Sequence, residues 1–211
     1  MSRFTILLGG DLVRTPRLDR QIAGTRIIAA DAGISHAATL GLTPELWVGD
    51  FDSVPDHLPA ALQAVPTETF PREKDKTDGE LAVDIAMRQG ATELILVGAF
   101  GGPRADHAFL HLTLALRLAE GGFPTLLSSG AQEGVPLLPG PASGFDYESG
   151  TLFSVLGFSD LSSLTVEGAK WPLTRVDVAF GSSLTISNEV RGRLHIALEK
   201  GRAMLIAHPQ P

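Results

Sequence analysis

The residues best placed to do chemistry are two carboxylates two positions apart, in Gly49-Asp50-Phe51-Asp52-Ser53, directly after the apolar run Leu46-Trp47-Val48. If that run is a strand, its period of two aims Asp50 and Asp52 at the same side of the strand's end. Like charges that close repel, and each raises the other's pKa unless a cation lies between them. A divalent metal is such a cation.

Further polar clusters occur in the same setting. Asp31 follows the apolar run 25–30, Asp75 and Asp78 follow 67–70, and Gly101-Gly102-Pro103-Arg104-Ala105-Asp106 follows 93–97. In a parallel sheet these strand ends share one edge, and ligands bind there. Carboxylate oxygens suit Mg²⁺, which takes one or two of them together with substrate phosphates. Glycines let backbone N–H groups approach an anion near a helix start, and arginine grips a phosphate bidentately. The chemistry that joins these parts is metal-assisted work on a polyphosphate. No Gly-x-x-x-x-Gly-Lys-Ser/Thr occurs, so the site is not a P-loop. Single motifs also have plainer readings. Asp31-Ala32-Gly33 reads as a strand-to-helix turn, and Thr77-Asp78-Gly79-Glu80 has the spacing of a capping box. His107 and His111, one turn apart on an apolar helix, read as core or rim histidines.

The elements that must position these residues follow from hydrophobic pattern. Strands are expected over 4–8, 25–30, 46–48, 67–70, 93–97 and 124–128. Helices are expected within 12–24, over 35–40, from Ser53 to about Ala64, from Thr77 to about Gln89 and from about Arg104 to Gly121. On the fourth of these helices Leu81, Ala82, Ile85 and Ala86 form the buried stripe. The alternation predicts an α/β N-terminal domain, 1–130, with a mostly parallel sheet and helices on both faces. Residues 130–150 are rich in glycine and proline and read as a loop-rich boundary. Beyond it, short alternating runs at 151–156, 162–166, 175–180, 183–186, 193–198 and 202–206 predict an all-β C-terminal sandwich, 131–211.

Composition narrows the partners. The 211 residues carry a net charge of −7 with no basic block, which disfavours nucleic acid and anionic membranes. The absence of cysteine excludes thiolate sites. No run approaches the ~18 apolar residues of a membrane span, and the first residues do not make a signal peptide. The expectation is a cytoplasmic protein.

In order along the chain, Asp31-Ala-Gly33, Gly49-Asp-Phe-Asp-Ser53, Lys74-Asp-Lys-Thr-Asp78, Gly101-Gly-Pro-Arg104-Ala-Asp106-His107, Lys170-Trp-Pro-Leu173 and Ser187-Asn-Glu189 resemble the motifs of the thiamine pyrophosphokinase family. The resemblance implies a homodimer that uses Mg²⁺ to transfer the diphosphoryl group of ATP to the hydroxyl of thiamine, releasing AMP. It implies Asp50, Asp52, Asp78 and Asp75 as metal ligands. Asp31, Lys76, Thr77, Gly101, Gly102, Arg104 and Asp106 would belong to the ATP site. Trp171 would stack on thiamine near Ser187 and Asn188, in a pocket shared between subunits. Asp78 and Asp106 are both candidates for the group that accepts the hydroxyl proton. The chain departs from the family's usual Asp-Gly-Gly-Ala-Asn at residues 31–35, and has Gly79 where a bulky apolar residue is common. A different alcohol acceptor, an aspartyl phosphatase built on Asp50 and Asp52, and a non-catalytic nucleotide sensor are the other readings of the same residues.

Overall fold

The buried apolar runs of the first half become strands β1 (Ser2–Leu7), β2 (Arg26–Ala30), β3 (Leu46–Gly49), β4 (Thr67–Thr69), β5 (Ala91–Val97) and β6 (Thr125–Ser128). They pair in parallel in the order β6-β5-β1-β2-β3-β4. The computed structural model describes residues 2–51 and 58–210 of the chain. Helices α1 (Pro16–Ile22), α2 (Ile34–Leu40) and α3 (Ala60–Gln63) cover one face, where Leu7, Ile27, Ala29, Ile95 and Val97 point. Helices α4 (Asp78–Arg88) and α5 (Ala105–Glu120) cover the other, over Phe4, Ile6, Leu94 and Leu96. The alternation along β1 is the period of two at work. Burying each Leu, Ile or Phe is worth ~1.5–3 kcal/mol, so packing on this sheet, more than propensity, holds the short helices.

Helix ends follow local rules. Thr15 caps α1, accepting a hydrogen bond from Leu18 N, with Pro16 in the first turn. Thr77 and Glu80 form a complete capping box on α4. Gly41, at φ 69°, closes α2 in the left-handed conformation. Within α4 the buried stripe takes in Val83 as well as Ala82, Ile85 and Ala86, while Leu81 is only partly buried against it. The expected helix from Ser53 differs: its start lies outside the described residues, and the described part is one turn, Ala60–Gln63. Pro59 stands directly before the described turn, and a proline disfavours helical backbone at the residue before it, Leu58.

Two further expectations change in the second half. The stretch read as a loop-rich boundary contains β7 (Glu133–Leu137) and β8 (Ser143–Phe145). Strands β9 (Leu152–Gly157), β10 (Leu161–Ala169), β11 (Leu173–Val178), β12 (Asn188–Ala197) and β13 (Ala203–His208) follow. β7 runs antiparallel to both β6 and β13, so one mixed sheet continues from the parallel strands into the β-rich C-terminal part. Its proline is tolerated because β6 pairs only with Glu133 and Gly134; at Pro136 that side of β7 is an edge. Residues 183–186, expected as a strand, form a turn. Thr185 is buried and its hydroxyl donates to Val155 O at 2.6 Å, while Leu184 and Ile186 stay exposed. A third apolar cluster, including Phe153, Val155, Leu164, Val166, Leu194 and Ile196, fills the C-terminal part. Among the described residues no helix is long and apolar enough to cross a membrane.

Candidate active site

A cavity of about 870 Å³ opens at the carboxyl edge of the parallel strands. Asp31 arrives from β2, Asp50 from β3, Asp75 and Asp78 from the loop before α4 and its first turn, and Gly101, Gly102 and Arg104 from the turn before α5. Lys76 and Thr77 line it too. Asp52 lies outside the described residues. Phe51 turns away from the cavity, edge-on to Trp47 with ring centroids 4.8 Å apart.

The ends of β1, β2, β3 and β5 are stitched together by backbone contacts that only small residues permit. Gly10 N donates to Gly98 O at 2.9 Å and Asp11 N to Phe100 O at 2.7 Å. A Cβ on Gly10 would lie 2.4 Å from both Gly98 O and Phe100 O, so no larger residue fits there. His36 Nε2 donates to Gly10 O at 2.8 Å from the far side. Asp31 has a positive φ of 46°, and Trp47 Nε1 donates to its carbonyl at 2.9 Å. Strained backbone held this way is common at ligand sites.

Several of the charges around the cavity are paired. Lys74 Nζ lies 2.9 Å from Asp78 Oδ1 in a largely buried pair. Lys76 holds Asp84. Arg104 clasps Asp106 through Nε at 3.0 Å and Nη2 at 2.6 Å, and this exposed grip draws the Asp106 carboxyl down to about 2. Asp106 is therefore turned onto Arg104 and is not part of the cavity wall. The Thr77 hydroxyl accepts from Glu80 N at 3.3 Å, so its capping role is real alongside its place on the wall. Lys74, Arg72 and His111 line the cavity without having been singled out for it in the sequence; Lys74 sits inside the Lys-Asp-Lys-Thr-Asp motif, and that motif was its signal.

Burial lowers the pKa of His36 and of His111 below the usual 6.5. The unfolded chain therefore takes up protons first as pH falls. The stability this linkage supplies is complete above about pH 6.5 and is lost progressively below it. Melting curves between pH 7.5 and 5 should show a falling midpoint, and His36→Gln should flatten part of that slope.

A second, apolar pocket of about 200 Å³ lies among Phe153, Val155, Trp171, Leu173, Leu184 and Asn188. Asn188 Oδ1 accepts from Trp171 N at 3.1 Å and Glu189 N at 2.9 Å, and Nδ2 donates to Trp171 O at 2.8 Å. Its amide thus fixes the Trp171 backbone from both sides. Ser187 is exposed, at φ 60°, with its N–H on Ser154 Oγ at 3.0 Å. Trp171 is 56% exposed, and Lys170 Nζ lies 4.6 Å from its ring centroid.

Acids, glycine turns and an arginine around one cavity at the carboxyl edge of a parallel sheet are the build of an α/β transferase that handles a polyphosphate. Comparison with known proteins agrees. Residues 22–126 match the model of the thiamin pyrophosphokinase catalytic domain, and residues 145–202 match that of the thiamin pyrophosphokinase vitamin B1 binding domain. A thiamine pyrophosphokinase of Bacillus subtilis (strain 168) is 30% identical over 211 residues, covering 98% of each chain. A crystal structure of the Bacillus subtilis thiamine pyrophosphokinase superposes with a TM-score of 0.85 at 27% identity, covering 100% of both chains. That of thiamin pyrophosphokinase from Geobacillus thermodenitrificans gives 0.77 at 30% identity, covering 100% of this chain and 98% of the other. The chain belongs to the thiamine pyrophosphokinase family, transferases that move the diphosphoryl group of ATP to thiamine.

Proposed function

We propose that ATP binds in the large cavity, and that its diphosphoryl group passes there to the thiamine hydroxyl with release of AMP. The observation that carries this reading is the convergence of Asp31, Asp50, Asp75 and Asp78 with Gly101, Gly102 and Arg104 on one wall. Among the described residues no three ligating side chains are close enough to cage a metal by themselves. The donor set nevertheless fits Mg²⁺, a hard cation that needs only one or two carboxylates and completes its shell with phosphate oxygens and water. The ammonium of Lys74 against Asp78 marks a place on the wall that already attracts positive charge. Asp50 and Asp78, with Asp52 and Asp75, would hold the ion, which when bound neutralises charge on the phosphates.

The chain's own groups would then do three things. Backbone N–H groups of the Gly101-Gly102 turn approach the phosphates. Arg104 leaves Asp106 for a phosphate oxygen, exchanging one bidentate partner for another. The apolar inner wall excludes water, so that the alcohol and not water reaches phosphorus. Transfer through a loose transition state depends mainly on position and charge, and asks little of a base. Asp106, released when Arg104 turns to phosphate, and Asp78 are both candidates for that part.

Thiamine is placed in the pocket beside Trp171, with its cationic ring on the indole face, a contact worth about 0.5–2 kcal/mol. Lys170 must then move off that face. The two cavities share no residue, and their strands stand at different ends of the sheet order. A homodimer that sets one chain's pocket against its partner's cavity would join them and cover the exposed Trp171, Phe180, Leu184 and Ile186. In this reading 1–130 is the catalytic unit, 131–211 is a β-sandwich that binds thiamine and dimerises, and the protein works in the cytoplasm. Trp171→Ala should raise the thiamine KM about tenfold with kcat little changed; an unchanged KM would return Trp171 to a packing role. The direct test is incubation with ATP, Mg²⁺ and thiamine. Thiamine diphosphate and AMP should form in equal amounts, whereas ADP as product would defeat the assignment.

A further inference from the structure

We infer that His111 reads the nucleoside end of the nucleotide, accepting a hydrogen bond at Nε2 from either the adenine amine or a ribose hydroxyl. The inference rests on the placement of ATP in the large cavity.

His111 is 8% exposed, on a helix whose other inward side chains are apolar. Its Nδ1 lies 3.0 Å from Ala99 O. A carbonyl only accepts, so Nδ1 carries the proton and Nε2 of the neutral ring presents a lone pair. Burial keeps the ring neutral by lowering its pKa, with a smaller contribution from His107 one turn away. Among the described residues Nε2 has no hydrogen-bond partner. A ring held at Nδ1 by Ala99 O, with Nε2 open to the cavity, offers an acceptor to whatever fills that space.

The space in front of Nε2 is kept open by Gly79. A Cβ there would lie 4.0 Å from Nε2 and 2.8 Å from Leu8 Cδ2, so a larger side chain at that position would push Leu8 aside and narrow the space before the ring. Leu8, Gly79 and Ala108 put apolar surface beside the ring, while Arg72, Lys74 and Asp75 supply charged lining in the same cavity. A flat base with an apolar face and a polar edge suits the first, and phosphates suit the second. His111 stands six residues along α5 from its first residue, about 9 Å by helical rise. A triphosphate gripped at the start of α5 would carry its nucleoside over roughly that distance. A neutral acceptor is a poor phosphate ligand, because phosphate oxygens accept as well.

Equilibrium binding of Mg²⁺-nucleotides to the full chain, without thiamine, tests this. Wild type should bind ATP about tenfold more tightly than at least one of ITP, 2′-deoxy-ATP and 3′-deoxy-ATP, the analogue that loses affinity naming the donor. His111→Phe keeps a ring of similar size and should shrink that gap to about twofold or less. Tripolyphosphate, which has no nucleoside, should bind wild type and variant alike. The wild-type comparison stands even if the variant fails to fold, and no preference for ATP over any of the three analogues overturns the inference. So does a gap that persists in His111→Phe, or weakening of tripolyphosphate together with the nucleotides. A fall in kcat at unchanged ATP affinity would make His111 a base and overturn it as well. Arg104→Ala separates the two readings: if it leaves ATP and tripolyphosphate binding untouched, the placement of ATP in this cavity fails, whatever His111 does.

Discussion

Replacing Asp50 by asparagine should lower AMP formation about a thousandfold, ~4 kcal/mol of transition-state stabilisation, and leave the protein folded. The substitution is isosteric and removes one charge. The core positions of the same strand, Trp47 and Val48, are buried and unaltered. Asp50 ends β3 on the cavity wall, and the strand is drawn tight to the end of β2, where Gly49 faces Asp31 with 3.4 Å between the position of a Cβ and Asp31 Cα. The carboxylate therefore cannot be supplied from elsewhere by a small shift. An amide oxygen still coordinates Mg²⁺, but without the charge that makes the site selective and tight. The Mg²⁺ concentration for half-maximal rate should rise together with the fall in rate. AMP release titrated with Mg²⁺, beside a melting curve, checks both parts. Turnover near wild type at ordinary Mg²⁺ would remove Asp50 from the metal site.

What the sequence exposes, and what it hides, divides along the range of the interactions. Parallel strands were legible because both faces are buried, so the runs at 4–8, 25–30 and 93–97 are continuously apolar and β1, β2 and β5 fall on them. Helix starts were legible because a cap is local, as at Thr77 and Glu80. The candidate residues at strand ends met in one cavity for the same reason: the edge rule needs only strand order and direction. β7 was hidden because Gly134 and Pro136 are turn signals, and what makes them a strand is pairing with β13 about seventy residues away. Residues 183–186 looked like a strand because their alternation is real, but it faces the wrong way: Thr185 is inside and the leucine and isoleucine are outside. Partner choice within the site was hidden too. That Arg104 clasps Asp106, that Asn188 holds the Trp171 backbone and that His111 is fixed by Ala99 O are matters of a few tenths of an ångström between groups. Spacing along the chain does not encode them.

The largest stability effect should come from a residue with no place in the chemistry, Arg17. Its guanidinium forks onto Glu133, Nε to Oε1 at 2.6 Å and Nη2 to Oε2 at 3.2 Å, while Nη1 donates to Asp146 O at 3.0 Å. Tyr147 lies beneath, 4.9 Å from ring centroid to guanidinium carbon. Gln21 adds a second donor to Glu133 Oε1 at 2.6 Å. Glu133 is 2% exposed, so these contacts tie α1 to β7, the strand through which the parallel part of the sheet passes into the antiparallel part. Arg17→Met removes the charge and leaves the buried Glu133 carboxylate with only the neutral Gln21 amide and Tyr147 hydroxyl as partners. Stranding one member of a buried pair is expected to cost about 3 kcal/mol, the lower part of the usual range, because Arg17 itself is partly exposed. In a chain of this size that corresponds to a melting point lower by roughly 6–12 °C. The pair need not be stabilising in itself, since its desolvation offsets much of its attraction. Arg17→Met combined with Glu133→Leu should therefore recover most of the loss, and urea unfolding of wild type, single and double variants measures both steps. If the single substitution changes stability by less than about 0.5 kcal/mol, the size of an ordinary surface change, the link between α1 and β7 contributes nothing and the sheet alone joins the two halves.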